Sequence, residues 1–224
     1  MQAQVPAVQQ TQARLSPMPD DMTEKGGRIQ IDLAVGWVWH GHPRGWKKAR
    51  DVGLIERRAQ SDWARRLDVP SARFIALHTV AHLLIRRLAF ASGYTSASLQ
   101  ERIYANEDRA DKTAGVLIYT AAGDAQGTLG GLVRLGEPKR LLPLLVAALS
   151  DADICSNDPV CIESDRQGSS QLNLSACHGC TLISETSCEV GNRLLDRQLV
   201  LGGVEVPGLL EAVLPAMRLA SATG

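Results

Sequence analysis

The chain has 224 residues, 45% of them apolar and 21% charged, and its 24 basic side chains balance its 24 acidic ones to a formal net charge of zero. That composition supports one or two domains with a real core and excludes a wholly disordered chain, while zero net charge excludes a uniformly basic nucleic-acid surface. The first 25 residues, rich in Gln, Ala and Pro without periodicity, are expected to form a flexible tail. They lack the basic-then-apolar order of an export leader, and uninterrupted apolar runs such as 141–149 are far shorter than the roughly 20 residues of a bilayer span. No membrane helix and a cytoplasmic location are therefore expected.

Residues 28–35 alternate apolar and polar side chains and predict a half-buried strand. All four tryptophans follow, Trp37, Trp39, Trp46 and Trp63, within a stretch that overlaps a basic segment. Residues 44–73 carry nine positive charges against four negative, and Arg44, Lys47, Lys48, Arg57 and Arg58 are the candidates for phosphate contact. Aromatics among cations can stack on bases, although tryptophans more often pack a core. The segment 46–67 predicts a helix, broken at Pro70. Ser71 is placed to cap the next helix, in which Phe74, Leu77, His78, Ala81, His82, Leu84, Ile85 and Leu88 recur at three- and four-residue spacing as far as Gly93. This is the expected core helix.

His78 and His82 stand one turn apart, the spacing of zinc metalloproteases, but Thr79 occupies the place of the glutamate that would act as general base. The expectation is a pair of core or interface histidines held by hydrogen bonds. Residues 115–120 predict a buried strand, and a glycine-rich turn over 124–132 leads into a helix. That turn lacks the lysine of a nucleotide-binding loop, so ATP hydrolysis is not expected. Pro138 opens an amphipathic helix, residues 185–189 are expected to start a helix carrying Leu194, Leu195 and Leu199, and Pro207 to start the last one.

All five cysteines lie between Cys155 and Cys188, spaced C-x5-C-x15-C-x2-C-x7-C. Four thiolates around zinc form a closed tetrahedron that cross-links a segment too polar to build its own core. Cys177 and Cys180 supply the tight half, with Gly179 between them giving the backbone freedom such a knuckle uses, and Cys161 and Cys188 are the natural flanking ligands. Four of the five are expected to bind zinc, with Cys155 or Cys161 the spare. An odd count without an export leader argues against a disulfide framework.

Three blocks in this order, LHTVAHLLIRRLAFASGYTSASLQERIYA, GVLIYTAAGDAQGTLGGLVRLG and CSNDPVC with ACHGCTLISETSCEVGNRLLDRQLV, resemble the helicase-associated C-terminal domain of DrmB-like proteins of the DISARM anti-phage systems, over roughly residues 26 to 205. More distantly, the cysteine segment is similar to that closing the Mrf-type DNA repair helicases, where C-x3-C-x2-C-x5-C precedes a Leu-Asp-Lys element. Matching that element to Leu195-Asp196-Arg197 puts the family's last cysteine on Cys188 and its pair on Cys177 and Cys180, with Cys161 or Cys155 replacing the first. The resemblance implies a subunit that works beside a superfamily 2 helicase and engages DNA, with no reaction of its own. Family members are usually longer, so the chain corresponds to their C-terminal portion.

The fold class expected is α+β, predominantly helical, with a small sheet and a C-terminal cysteine-rich zinc lobe. The expected organisation is a tail at 1–25, a helicase-associated zinc-binding domain at 26–206, and a C-terminal helix and tail at 207–224. No enzyme is expected. Nucleic-acid deamination, the most specific zinc alternative, needs a histidine two residues before a glutamate, and no histidine here has one. The rival reading is a purely structural protein-interaction domain without DNA contact, or a truncated inactive remnant of a longer family member.

Overall fold

The computed structural model describes residues 28–32, 71–105, 114–120, 130–164, 166–168, 170–203, 208–211 and 214–223. The expected tail, the four tryptophans, the helix over 46–67, the basic residues Arg44, Lys47, Lys48, Arg57 and Arg58, and residues 124–129 of the glycine-rich turn lie outside them.

Three antiparallel strands form the sheet, in the order β1-β3-β2: β1 is Arg28–Asp32, β2 Leu99–Tyr104 and β3 Gly115–Thr120. The central strand pairs Leu117 with Gln30 on one side and with Arg102 on the other. Strands β1 and β3 match the expectation, with β1 ending at Asp32. The middle segment β2 was not foreseen, because LQERIY interrupts its apolar alternation with a glutamate. Leu99, Glu101 and Ile103 all face inward, and Glu101 is only 3% exposed. An acidic side chain on the core face of a strand is a statement about function as much as fold.

Helix α1, Ala72–Ser92, is the core helix. Ser71 caps it by accepting a hydrogen bond from the Phe74 amide, and Gly93, in the left-handed region at φ 73°, closes the last turn with its amide on the Ala89 carbonyl. Apolar residues surround its axis, so the helix is buried on several sides at once. Leu77, Ala81, Leu84, Ile85 and Leu88 pack on the sheet through Leu99, Ile103, Val116 and Ile118. Val80 and Leu83 meet Leu145, Ala148 and Leu149 of α3, Pro138–Asp151. Ile75 and Ala76 meet Leu172, Leu194, Leu199 and Leu209. Among the described residues α1 is the one helix long and apolar enough to cross a membrane, and its packing on three sides makes it the core of this fold instead.

Leu84 is fully buried in the cluster between α1 and the sheet. Truncation to alanine is expected to cost about 3 kcal/mol through lost contacts and a residual cavity. A thermal melt should then shift down by about 6–12 °C.

The remaining helices are short: α2 Gly130–Leu135, α4 Val160–Glu163, α5 Arg197–Leu201 and α6 Leu214–Thr223. One expectation is corrected. Residues 185–187 form a single 3-10 turn rather than a helix start, and the chain regains a helix only at α5, capped by Asp196. Pro207 lies outside the described residues, residues 208–211 after it form a turn, and the described last helix is Leu214–Thr223. The intervening segment is irregular because its side chains, not backbone ladders, satisfy its polar groups. Asn173 donates to the Asn192 carbonyl and accepts from the Leu195 amide, while Asn192 bonds both polar groups of the Ile183 backbone.

Candidate metal centre

Cys155, Cys161, Cys177 and Cys180 converge on one point, delivered by three segments of the lobe. Cys155 follows α3, Cys161 lies on α4, and Cys177 and Cys180 flank the knuckle turn in which the Thr181 amide bonds the Cys177 carbonyl. The sulfurs stand 3.5 Å apart for Cys155 and Cys177 and 3.8 Å apart for both Cys161–Cys180 and Cys177–Cys180. Disulfide sulfurs would be about 2.05 Å apart. Zinc–sulfur bonds of about 2.3 Å in a tetrahedron put the sulfurs about 3.8 Å apart. The residues therefore fit a zinc ion, and with all four positions supplied by the protein such a site is closed.

Donors face three of the four sulfurs, as thiolates require. The Asn157 amide points at Cys155 (3.4 Å), its side-chain NH2 at Cys177 (3.3 Å), the Cys177 amide at Cys180 (3.4 Å) and the Thr181 hydroxyl at Cys180 (3.2 Å). Burial pushes the Cys155 and Cys161 thiols up. Burial acts the same way on Cys177, but hydrogen bonds from Asn157 and Cys155 outweigh it and bring that thiol down to about 6. One sulfur is thus ready to ionise, and a bound cation would supply the charge that ionises the others. Gly179 is needed for space rather than for an unusual backbone angle. A side chain there would come within 3.3 Å of the Cys155 sulfur and 3.0 Å of the Ser156 hydroxyl.

Two arginines hold the cage. Arg86, on α1, donates to the carbonyls of His178, Gly179 and Leu182 and so fixes the knuckle to the core helix. Arg197, only 1% exposed, donates to the carbonyls of Ser175 and Ala152 and makes a forked contact with Asp158 at 2.7 and 3.2 Å. Asp158 in turn accepts from the amides of Cys155 and Ile162, clamping the loop that carries Cys155 and Cys161. The bonds from Arg197 hold its carboxyl below the usual range. Four thiolates and a divalent ion sum to two negative charges, and these guanidinium groups lie where they offset them.

Cys188 stands elsewhere. Its sulfur belongs to a second buried group with His78, His82 and Glu101, whose ligand atoms all lie within 4.8 Å of one another. The expectation of Cys155 or Cys161 as the spare cysteine is corrected, since both join the four-sulfur cluster and Cys188 is the one set apart. The Leu195-Asp196-Arg197 element does reach the cluster, but through Arg197. The histidines, expected to make only hydrogen bonds, turn Nδ1 to the carbonyls of Leu194 (3.2 Å) and Thr181 (3.1 Å) and Nε2 to the shared centre. Thr79, standing where a metalloprotease has glutamate, bonds the Ile75 carbonyl and receives the Asp196 amide, a purely structural use. Without a cation the second group shares protons. Burial opposes charge on each member, but the Glu101 carboxylate lifts His78 to about 10 and His78 holds Glu101 well below the carboxylate range. Against the same burial, hydrogen bonds from His78 and His82 bring Cys188 down to about 6.

Residues 80–181 match the family model described as MZB, the MrfA Zn-binding domain, a span that contains all four clustered cysteines. The chain is also 48% identical over 132 residues to the DISARM protein DrmB of Bacillus paralicheniformis. Residues 80–181 are thus similar to an Mrf-type zinc-binding domain, and the chain is similar to part of a DrmB protein. The matched region is 59% of this chain and 23% of that relative, so the similarity concerns a minor part of a much longer protein.

Proposed function

We propose that this chain is a non-catalytic, zinc-stabilised subunit of a DISARM-like anti-phage defence complex in the cytoplasm, which helps a superfamily 2 helicase engage foreign DNA. The observation that carries the reading is the closed four-sulfur cage within residues that match the MrfA Zn-binding family model, in a chain similar over 132 residues to DrmB. A tetrahedron filled by protein sulfurs leaves no position to activate water, which suits a structural rather than a hydrolytic ion. In this reading Cys155, Cys161, Cys177 and Cys180 hold Zn2+, residues 26–206 form the functional domain between the tail at 1–25 and the C-terminal segment at 207–224, and Arg44, Lys47, Lys48, Arg57 and Arg58 contact phosphates.

The test is DNA affinity of the helicase–subunit complex as a function of salt. Replacing Lys47, Lys48, Arg57 and Arg58 with alanine is expected to weaken binding and to flatten the slope of log K against log salt by about 3–4 if each cation meets one duplex phosphate. An unchanged affinity and slope in a complex that still assembles would discard the DNA role and leave a protein-interaction domain. Failure to co-purify with any helicase partner would discard the helicase role.

A further inference from the structure

The second buried group combines features that hydrogen bonding alone leaves unexplained. His78 and His82 project from successive turns of α1, Glu101 from the inward face of β2, and Cys188 from the loop after the 3-10 turn at Glu185–Ser187. His78 Nε2 lies 3.0 Å from Glu101 Oε1 and 3.1 Å from the Cys188 sulfur, and His82 Nε2 lies 3.4 Å from the same carboxylate oxygen. The side chains of both histidines and of Glu101 are 0% exposed. Yet Glu101 Oε2 has no hydrogen-bond partner, the circumstance in which a buried polar atom asks for an explanation.

The outer contacts supply one. With each Nδ1–H donating to a backbone carbonyl, a neutral histidine must turn its Nε2 lone pair inward, the arrangement that backbone carbonyls impose on metal-ligating histidines. The Asn192 amide donates to the Cys188 sulfur at 3.2 Å and the Glu189 amide to Glu101 Oε1 at 3.3 Å, so the two anionic members are oriented as well. Bonds of about 2.0–2.3 Å to nitrogen, oxygen and sulfur in a tetrahedron require donor atoms about 3.4–3.6 Å apart. The separations of 3.0, 3.1 and 3.4 Å come within about half an ångström of that, less than a side-chain rotation supplies, and every pair of donor atoms lies within 4.8 Å. A divalent ion with two neutral imidazoles, one carboxylate and one thiolate has no net charge, which favours it in a site this buried.

We propose that His78, His82, Glu101 and Cys188 bind a second divalent transition-metal ion, of the class that borderline nitrogen, oxygen and sulfur ligands select, with zinc the probe. The ion ties α1, β2 and the loop at Cys188 together and, having four protein ligands, is structural. The cage of four cysteines and this site would then stand on opposite ends of the same segment, 181–188, which α1 contacts through Arg86 and the two histidines.

The experiment is elemental analysis of the full chain, purified without a histidine tag, reconstituted with excess Zn2+ and desalted. Two zinc ions per chain are expected. Cys188→Ser and Glu101→Gln should each lower the count to one, whereas Cys177→Ser should remove the other ion and leave this one. Cobalt substitution guards against variants that fail to fold, because a site with one sulfur and a site with four differ in the intensity of their thiolate charge-transfer bands. Folded wild-type protein that binds one ion, lost with Cys177→Ser and retained with Cys188→Ser, would overturn the proposal and leave a proton-sharing network. Wild-type protein that binds one ion, lost with Cys188→Ser and retained with Cys177→Ser, would instead count against the zinc cage and leave the second site standing.

Discussion

Cys177→Ser and Cys180→Ser are each expected to abolish zinc in the four-sulfur cage and to unfold the part of the lobe that builds it, residues 155–180. Apart from Leu172, Ile183 and Leu194, which join the clusters around α1, the lobe has little else to hold it. Its own apolar cluster consists of the cysteines themselves, and its regular structure is limited to α4 and one 3-10 turn. In such a segment the free energy of metal binding is folding free energy, about 10–16 kcal/mol in isolated zinc fingers. Here Arg86, Arg197 and Asn173 retain part of the fold, so a loss of about 5 kcal/mol is a reasonable lower bound, and a melting temperature lower by about 10–20 °C is expected. Cys155→Ser and Cys161→Ser should behave alike, because both sulfurs belong to the cage. Full metal content together with an unchanged melting temperature in all four variants would refute the cage. Parallel elemental analysis and thermal melts decide it.

The equality expected of those four variants differs from what spacing suggests, and the reason is physical. Cysteine spacing reports which sulfurs can reach one ion, and the C-x2-C pair constrains Cys177 and Cys180 to a single turn. It carries no information on whether the flanking chain folds Cys155 or Cys188 toward that turn. That choice is made by Asp158, which gathers the amides of Cys155 and Ile162, and by His78, which meets Cys188 from a helix more than 100 residues away. Core helix α1 was legible because its periodicity, cap and terminal glycine agree. Strand β2 was hidden by Glu101, an acidic residue on an apolar face. A buried carboxylate in an alternating segment and two histidines on the apolar face of a helix were the available signals of a second site. Each is ordinary alone, and only the pairing of α1 with β2 brings them together. The stretch 185–196 failed to read correctly because its leucines mimic helical spacing. In the fold, Leu194 adopts a left-handed angle of 63° and turns its carbonyl to His78 instead.

Arg197→Met is expected to be nearly as damaging as loss of a cage cysteine. The guanidinium is buried, and its removal strands the Asp158 carboxylate beside the cage and orphans the carbonyls of Ser175 and Ala152. Breaking a buried ion pair on one side costs about 3–5 kcal/mol, because the remaining charge stays without compensation. For this chain that corresponds to a melting temperature lower by about 6–20 °C. Outer contacts of this kind also tune the ion, so zinc affinity is expected to fall about 10–100-fold, measurable by competition with a chelator of known affinity. Asp158→Asn combined with Arg197→Met should recover part of the stability, since no unpaired carboxylate then remains, but not the zinc affinity, since nothing offsets the two negative charges of the cage. A double variant as unstable as the sum of the two single ones would mean that the two residues act independently, and the charge argument would fall. Recovery of stability without recovery of affinity separates the two roles of Arg197, closing the loop that carries two cysteines and neutralising the site they build.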